Sequence, residues 1–173
     1  GGDATKAAAD YSSNVLLSEA MVPMLNVWEI ALRNGIDVRL SKLYGRADWW
    51  EAWVGDPAFK WQNKEVGSAK EKLIRRHEPQ TPDKVLAELT FGFWSSLFNT
   101  QFQTVLWKDL RLVFARCPKP QRQRHNISVA LNQIRDLRNR VFHHEPLLWL
   151  TPTRPDENAV GGVGTKWVDA MVG

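Results

Sequence analysis

The sequence predicts an all-α fold, a helical bundle with long first and last helices, on three observations. Apolar residues recur at spacings of three and four through most of the chain, which is the period of a half-buried helix. No stretch alternates apolar and polar residues long enough to make a strand. The breaks between apolar segments fall at Gly, Pro and capping residues, where helices start and stop.

Taken in order, a first helix is expected to start near Tyr11 to Asn14, where Ser12, Ser13 and Asn14 can cap it. Pro23 then either kinks it or opens a second helix running to about Leu43, and Gly45 supplies the stop. Asp48 to Trp53 reads as a short capped turn whose three tryptophans serve packing, followed by a break at Gly55-Asp56-Pro57. A charged amphipathic helix is expected from about Asn63 to His77. Thr81-Pro82, a capping residue before a first-turn proline, starts a helix through Leu89, and Phe91 to Phe98 continues it. Gln101 to Arg116 gives one or two shorter helices, and Pro118 and Pro120 separate them from a last long helix, about Gln121 to His144. Residues 1–150 form one domain in this reading, and the Pro- and Gly-rich stretch at 151–173 is an irregular tail.

Composition fits a cytoplasmic globular protein. A chain of 173 residues with 43% hydrophobic and 24% charged content can bury roughly two-thirds of its unfolded surface around one core. Cys117 is the one cysteine, so no internal disulfide can form. The apolar run Val15 to Trp28 is interrupted by Ser18, Glu19, Pro23 and Asn26 and falls short of the roughly 20 residues of a membrane span. No signal peptide is visible, and no membrane partner is expected.

The net charge of +4 is unevenly placed: between Ala115 and His144 stand Arg116, Lys119, Arg122, Arg124, Arg135, Arg138 and Arg140 against the single acid Asp136. Local positive potential of that kind attracts polyanions. A solvated helix face balanced by acids elsewhere gives the same pattern.

Two charges fall where a core is expected. At about 100° per residue, Val22, Leu25, Trp28, Leu32, Ile36, Leu40 and Leu43 form one stripe that contains Glu29. Ile127, Ala130, Leu131, Ile134, Leu137, Val141 and Phe142 form another that contains Arg138. A charge aimed at an apolar interface needs a partner, so Glu29, joined by Arg33 one turn on, is expected to face Arg138. A purely structural ion pair accounts for this as well as a functional one does. Asn139 and His143 share one strip of the last helix and Arg140 and His144 another, while Arg138 and His143 stand about 140° apart on an ideal helix. They could therefore meet at one ligand only through the reach of arginine or with help from a second subunit. Histidine and Glu145 in consecutive positions do not make a metal site, and neither Cys117 nor Ser95-Ser96 has an evident base.

The run Ile134-Arg135-Asp136-Leu137-Arg138-Asn139-Arg140-Val141-Phe142-His143-His144-Glu145-Pro146 resembles the signature of the Abi-like, abortive-infection-type proteins of the HEPN superfamily. Leu17 to Asn34 with Tyr44-Gly45 and Asp48-Trp49-Trp50 resembles that family's amino-terminal block, and Leu89 to Trp94 its middle one. The resemblance implies a HEPN-like helical fold, usually a homodimer, in which Arg138, Asn139 and His143 face a cleft between subunits and cleave RNA without metal or cofactor. His144 stands as a second candidate imidazole.

The expected function is thus a metal-independent endoribonuclease of phage-defence or toxin type, with an antitoxin protein as a further partner. The RNA's 2′-hydroxyl would attack the adjacent phosphorus. An imidazole, ordinarily titrating near ~6.5, can serve as base or acid. Glu29, Arg33 and His144 would support the site, and Arg135, Arg140, Arg122 and Arg124 would guide the RNA backbone. The competing expectation is a non-catalytic module that binds nucleotide, RNA or a protein partner through the same groove.

Overall fold

The structure, a computed structural model, describes residues 2–143 and 145–147. It is all-α among those residues, with six α-helices and short 3-10 turns between them. The helices are α1 (Gly2–Tyr44), α2 (Lys60–Arg75), α3 (Pro82–Glu88), α4 (Phe91–Ser96), α5 (Trp107–Leu110) and α6 (Arg124–Phe142). The described chain divides into two compact units, residues 2–28 with 133–147, and residues 29–132. The tail expected at 151–173 lies outside the described residues.

The long first helix is longer than its sequence signals suggest. Ser12, Ser13 and Asn14 do not cap it, because α1 is already helical from Gly2 and runs unbroken for 43 residues. Ser13 Oγ and Ser18 Oγ donate instead to the carbonyls of Ala9 and Asn14, both at 2.9 Å, a back-bonding habit of hydroxyls inside helices. Pro23 neither ends α1 nor opens a second helix. It lies on the exposed side, where water can satisfy the carbonyl that loses its donor. Gly45 ends α1 as expected: its φ is +68°, and Arg46 N donates to Ser41 O at 3.2 Å, the 6→1 bond of a glycine-terminated helix. By length and composition the stretch Ala4–Tyr44 could cross a membrane, unlike the shorter run considered from the sequence; buried core helices and signal sequences share that property, and 17% of its most apolar window is buried.

In the first unit, Leu25 of α1 and Val141 of α6 are buried together with Leu147, and Met21, Val22, Ile134 and Leu137 pack around them. Burying each of the three central side chains is worth about 1.5–3 kcal/mol. The spacing of Met21, Val22 and Leu25 along α1 follows from one face of a 3.6-residue period, and Ile134, Leu137 and Val141 repeat it on α6.

The second unit is built on aromatic rings. Trp49, Trp50 and Trp53 are buried in a 3-10 turn, as their packing role requires. Trp53 stacks on Phe59 with centroids 4.3 Å apart, and Phe59 on Phe102 at 4.7 Å. Their ring nitrogens remain satisfied: Trp49 Nε1 donates to Asp37 at 2.8 Å and Trp53 Nε1 to the Tyr44 hydroxyl at 2.9 Å. The helix expected to run from Thr81 to Phe98 is two helices. Leu89 and Thr90 turn extended between them, which lets Leu89, Phe91, Phe93 and Trp94 all reach the core. A continuous helix could not bury residues so closely spaced on one face.

Two helical glycines differ in what surrounds them. A Cβ on Gly35 would meet Val113 Cγ1 at 2.9 Å, whereas one on Gly67 would meet nothing within 4 Å. Gly67→Ala is therefore expected to raise stability by about 0.5–1 kcal/mol through helix propensity. Gly35→Ala is expected to lose at least that gain, because the stiff valine must move. Denaturant midpoints of the two variants check this, and equal stabilisation by both would contradict it.

Candidate functional site

The sequence-singled cluster sits where α6 ends. The helix closes with His143 N donating to Asn139 O and Glu145 N to Arg140 O, both at 2.9 Å. Leu147 then returns to the core of the first unit. Val141 faces inward and is 1% exposed, while Phe142, assigned to the apolar stripe from its wheel position, is 39% exposed. Phe142 belongs to the solvent side.

That exposure gives Phe142 a different task. The Arg138 guanidinium carbon lies 4.6 Å from the centroid of its ring, a cation–π contact between residues one turn apart. Arg138 is half-buried, and Asn139 and His143 are exposed. On an ideal wheel Phe142 and Arg135 fall between Arg138 and His143, with Arg138 at the edge of the buried stripe and Asn139 and His143 on the exposed side. Arg135 is half-buried and lies 3.7 Å from Asp136. Arg140 is half-buried too, its carbonyl engaged by Glu145. His144 lies outside the described residues.

The sequence reading missed the group that fixes this end of the chain. Asn14, expected to cap a helix, is 5% exposed. Its amide nitrogen donates to Glu145 O at 3.3 Å, and its amide oxygen accepts from Leu147 N at 2.5 Å. One side chain thus satisfies a donor and an acceptor of the segment following the histidines. The signal lay in position: Asn14, Ser18, Met21, Val22 and Leu25 share one helical face, so a polar pair continued the apolar stripe upstream.

Other site candidates fall in the second unit. Glu29 and Arg33 are half-buried there, and Arg33 Nε donates to Asn34 Oδ1 at 3.4 Å. Arg124 donates to Gln103 Oε1 and to the Phe98 carbonyl, each at 2.9 Å, and Arg122 to the Ala115 carbonyl at 3.0 Å. Those bonds make the two arginines struts between segments as well as surface charges. The first unit therefore gathers Arg135, Arg138, Asn139, Arg140 and His143.

Among the described residues no three His, Cys, Asp or Glu side chains gather as metal ligands would. Ser95 Oγ and Ser96 Oγ donate to the carbonyls of Gly92 and Phe93 at 3.2 and 2.7 Å, in keeping with helix-terminal rather than nucleophilic roles. Comparison with family models, curated proteins and solved structures finds no match for this chain.

Cys117 is buried, and its thiol donates toward the Pro118 carbonyl at 3.6 Å. Burial pushes the thiol pKa up against an opposing pull from Arg122, so little thiolate forms near neutral pH. Cys117 is expected to react with an aromatic disulfide reagent far more slowly in the native protein than after unfolding in guanidinium. Equal rates would show the thiol to be activated.

Proposed function

We propose that the protein is a metal-independent endoribonuclease of the phage-defence or toxin type, an Abi-like member of the HEPN superfamily that acts in the cytoplasm as a homodimer. The observation that carries the reading is the end of α6, where a half-buried guanidinium over a ring, an exposed amide and an exposed imidazole follow within two turns in Arg138, Asn139 and His143. Three sequence blocks in family order support it. The basic surroundings, Arg135 and Arg140 on α6 with Arg122 and Arg124 earlier in the chain, suit a polyanionic backbone.

The chemistry asks little of the protein beyond proton movement and charge stabilisation. One imidazole removes the 2′-hydroxyl proton as O2′ bonds to phosphorus, and a second protonates the departing O5′ as the P–O5′ bond breaks. The products are a 2′,3′-cyclic phosphate and a free 5′-hydroxyl. His143 supplies one imidazole, and two-fold symmetry supplies the second from another copy. Arg138 stabilises charge growing on the non-bridging oxygens. Asn139, one turn before His143, orients phosphate or imidazole. An antitoxin protein covering the same helix end would hold the activity in check.

His143→Ala is expected to slow RNA cleavage about 10²–10⁴-fold with an unchanged melting temperature and oligomeric state, because that side chain is exposed. Gel-resolved cleavage of a defined RNA by purified, folded variant measures this. Undiminished cleavage would refute the role given to His143, and RNA binding without turnover by the unaltered protein would favour a non-catalytic module.

A further inference from the structure

We infer that Asn14 is a positioning residue for His143, a role that rests on the ribonuclease reading above and belongs to a part of the chain 129 residues earlier. His143 N makes a helical bond to Asn139 O, and four residues further on Leu147 is buried in the core of the first unit. Two ties hold residues 145 and 147. Glu145 N closes on Arg140 O, and the Asn14 amide holds Glu145 O and Leu147 N together.

An amide is the side chain this task requires, because one group must donate to a carbonyl and accept from an N–H a few ångströms away. Asn14 is held in turn by the helix around it: its carbonyl accepts from Ser18 Oγ at 2.9 Å, and Ser18 is 1% exposed. Breaking the clamp leaves the buried Leu147 N–H without its acceptor and the part-buried Glu145 carbonyl without its donor, and an unsatisfied buried polar group is costly. The segment would leave Asn14, and the imidazole just before it would lose its fixed direction. Misdirection of that kind affects the chemical step more than RNA binding, since the arginines that meet the backbone sit on α6 itself.

Asn14→Asp turns the clamp into a titrating one. A protonated carboxyl can still donate to Glu145 O and accept from Leu147 N, but the carboxylate cannot donate. Burial and the need to donate raise the folded-state pKa of the introduced carboxyl, so the clamp persists at low pH and is lost as pH rises through that raised value. Three readouts on the full chain are compared with the unaltered protein at each pH: exchange of the Leu147 amide, the NMR signals of the His143 ring, and kcat with KM on RNA. The expected result at high pH is faster Leu147 exchange, His143 signals moved toward those of an unstructured peptide, and kcat at least about tenfold lower with KM nearly unchanged. All three should recover on acidification. Asn14→Ser, too short to span both backbone atoms, gives the same defects without the pH dependence and serves if the Asp variant fails to fold. Faster Leu147 exchange with the His143 ring and kcat unaltered would overturn the proposal, leaving Asn14 a purely structural clamp. If the unaltered protein cleaves no RNA, the ribonuclease reading falls separately, and the His143 ring signals alone decide whether Asn14 positions it.

Discussion

Burial of Val141 and Leu147 against Leu25, closed by the Asn14 amide, is the constraint on which the first unit depends. The hydrophobic part draws the end of α6 and the chain after it onto α1. The polar part sets their register. Apolar contact alone would tolerate sliding of the exit segment, because dispersion and area burial are not directional. A buried amide that must meet one donor and one acceptor does not tolerate it.

With that register fixed, the side chains of the last turns of α6 have defined places. Val141 goes inward, and Phe142 turns outward beneath the Arg138 guanidinium. The ring offers its π-face to the guanidinium carbon at 4.6 Å, a contact that leaves arginine's N–H donors able to bond other groups. The resulting surface combines positive charge with an exposed amide and an exposed imidazole. The second unit's aromatic core is built on Trp49, Trp53, Phe59, Phe93 and Phe102 among others, with the Trp49 and Trp53 ring nitrogens bonded to Asp37 and Tyr44, and the unit contains Glu29, Arg33, Arg122 and Arg124.

Much of this was legible in the sequence where a local rule decides the outcome. Gly45 stops α1 because a left-handed residue is needed there, and Pro82 starts α3 because proline fits a first turn, although the Thr81 side chain before it makes no capping bond. Local rules failed where tertiary context overrode them. Pro23 was a plausible break, yet on an exposed face the lost hydrogen bond can be made good by water. Asn14 looked like a cap because asparagine favours helix starts, but its partners lie 131 and 133 residues away, beyond any window of periodicity. Phe142 was assigned to the core by its type and angle. At the edge of the stripe, the choice between burial and covering Arg138 belonged to the three-dimensional neighbourhood. The helical spacing of Arg138, Asn139 and His143 was visible in sequence. The hold of Asn14 on the segment after them was not.

The central claim is that this end of α6 catalyses attack of a 2′-hydroxyl on the neighbouring phosphate. The most direct test is to determine the end groups of RNA fragments made by the purified protein in excess chelator. Fragments ending in a 2′,3′-cyclic phosphate, each matched by a 5′-hydroxyl end, are what the account predicts. Cleavage that stops without divalent ions, or that leaves 3′-hydroxyl and 5′-phosphate ends, would contradict it.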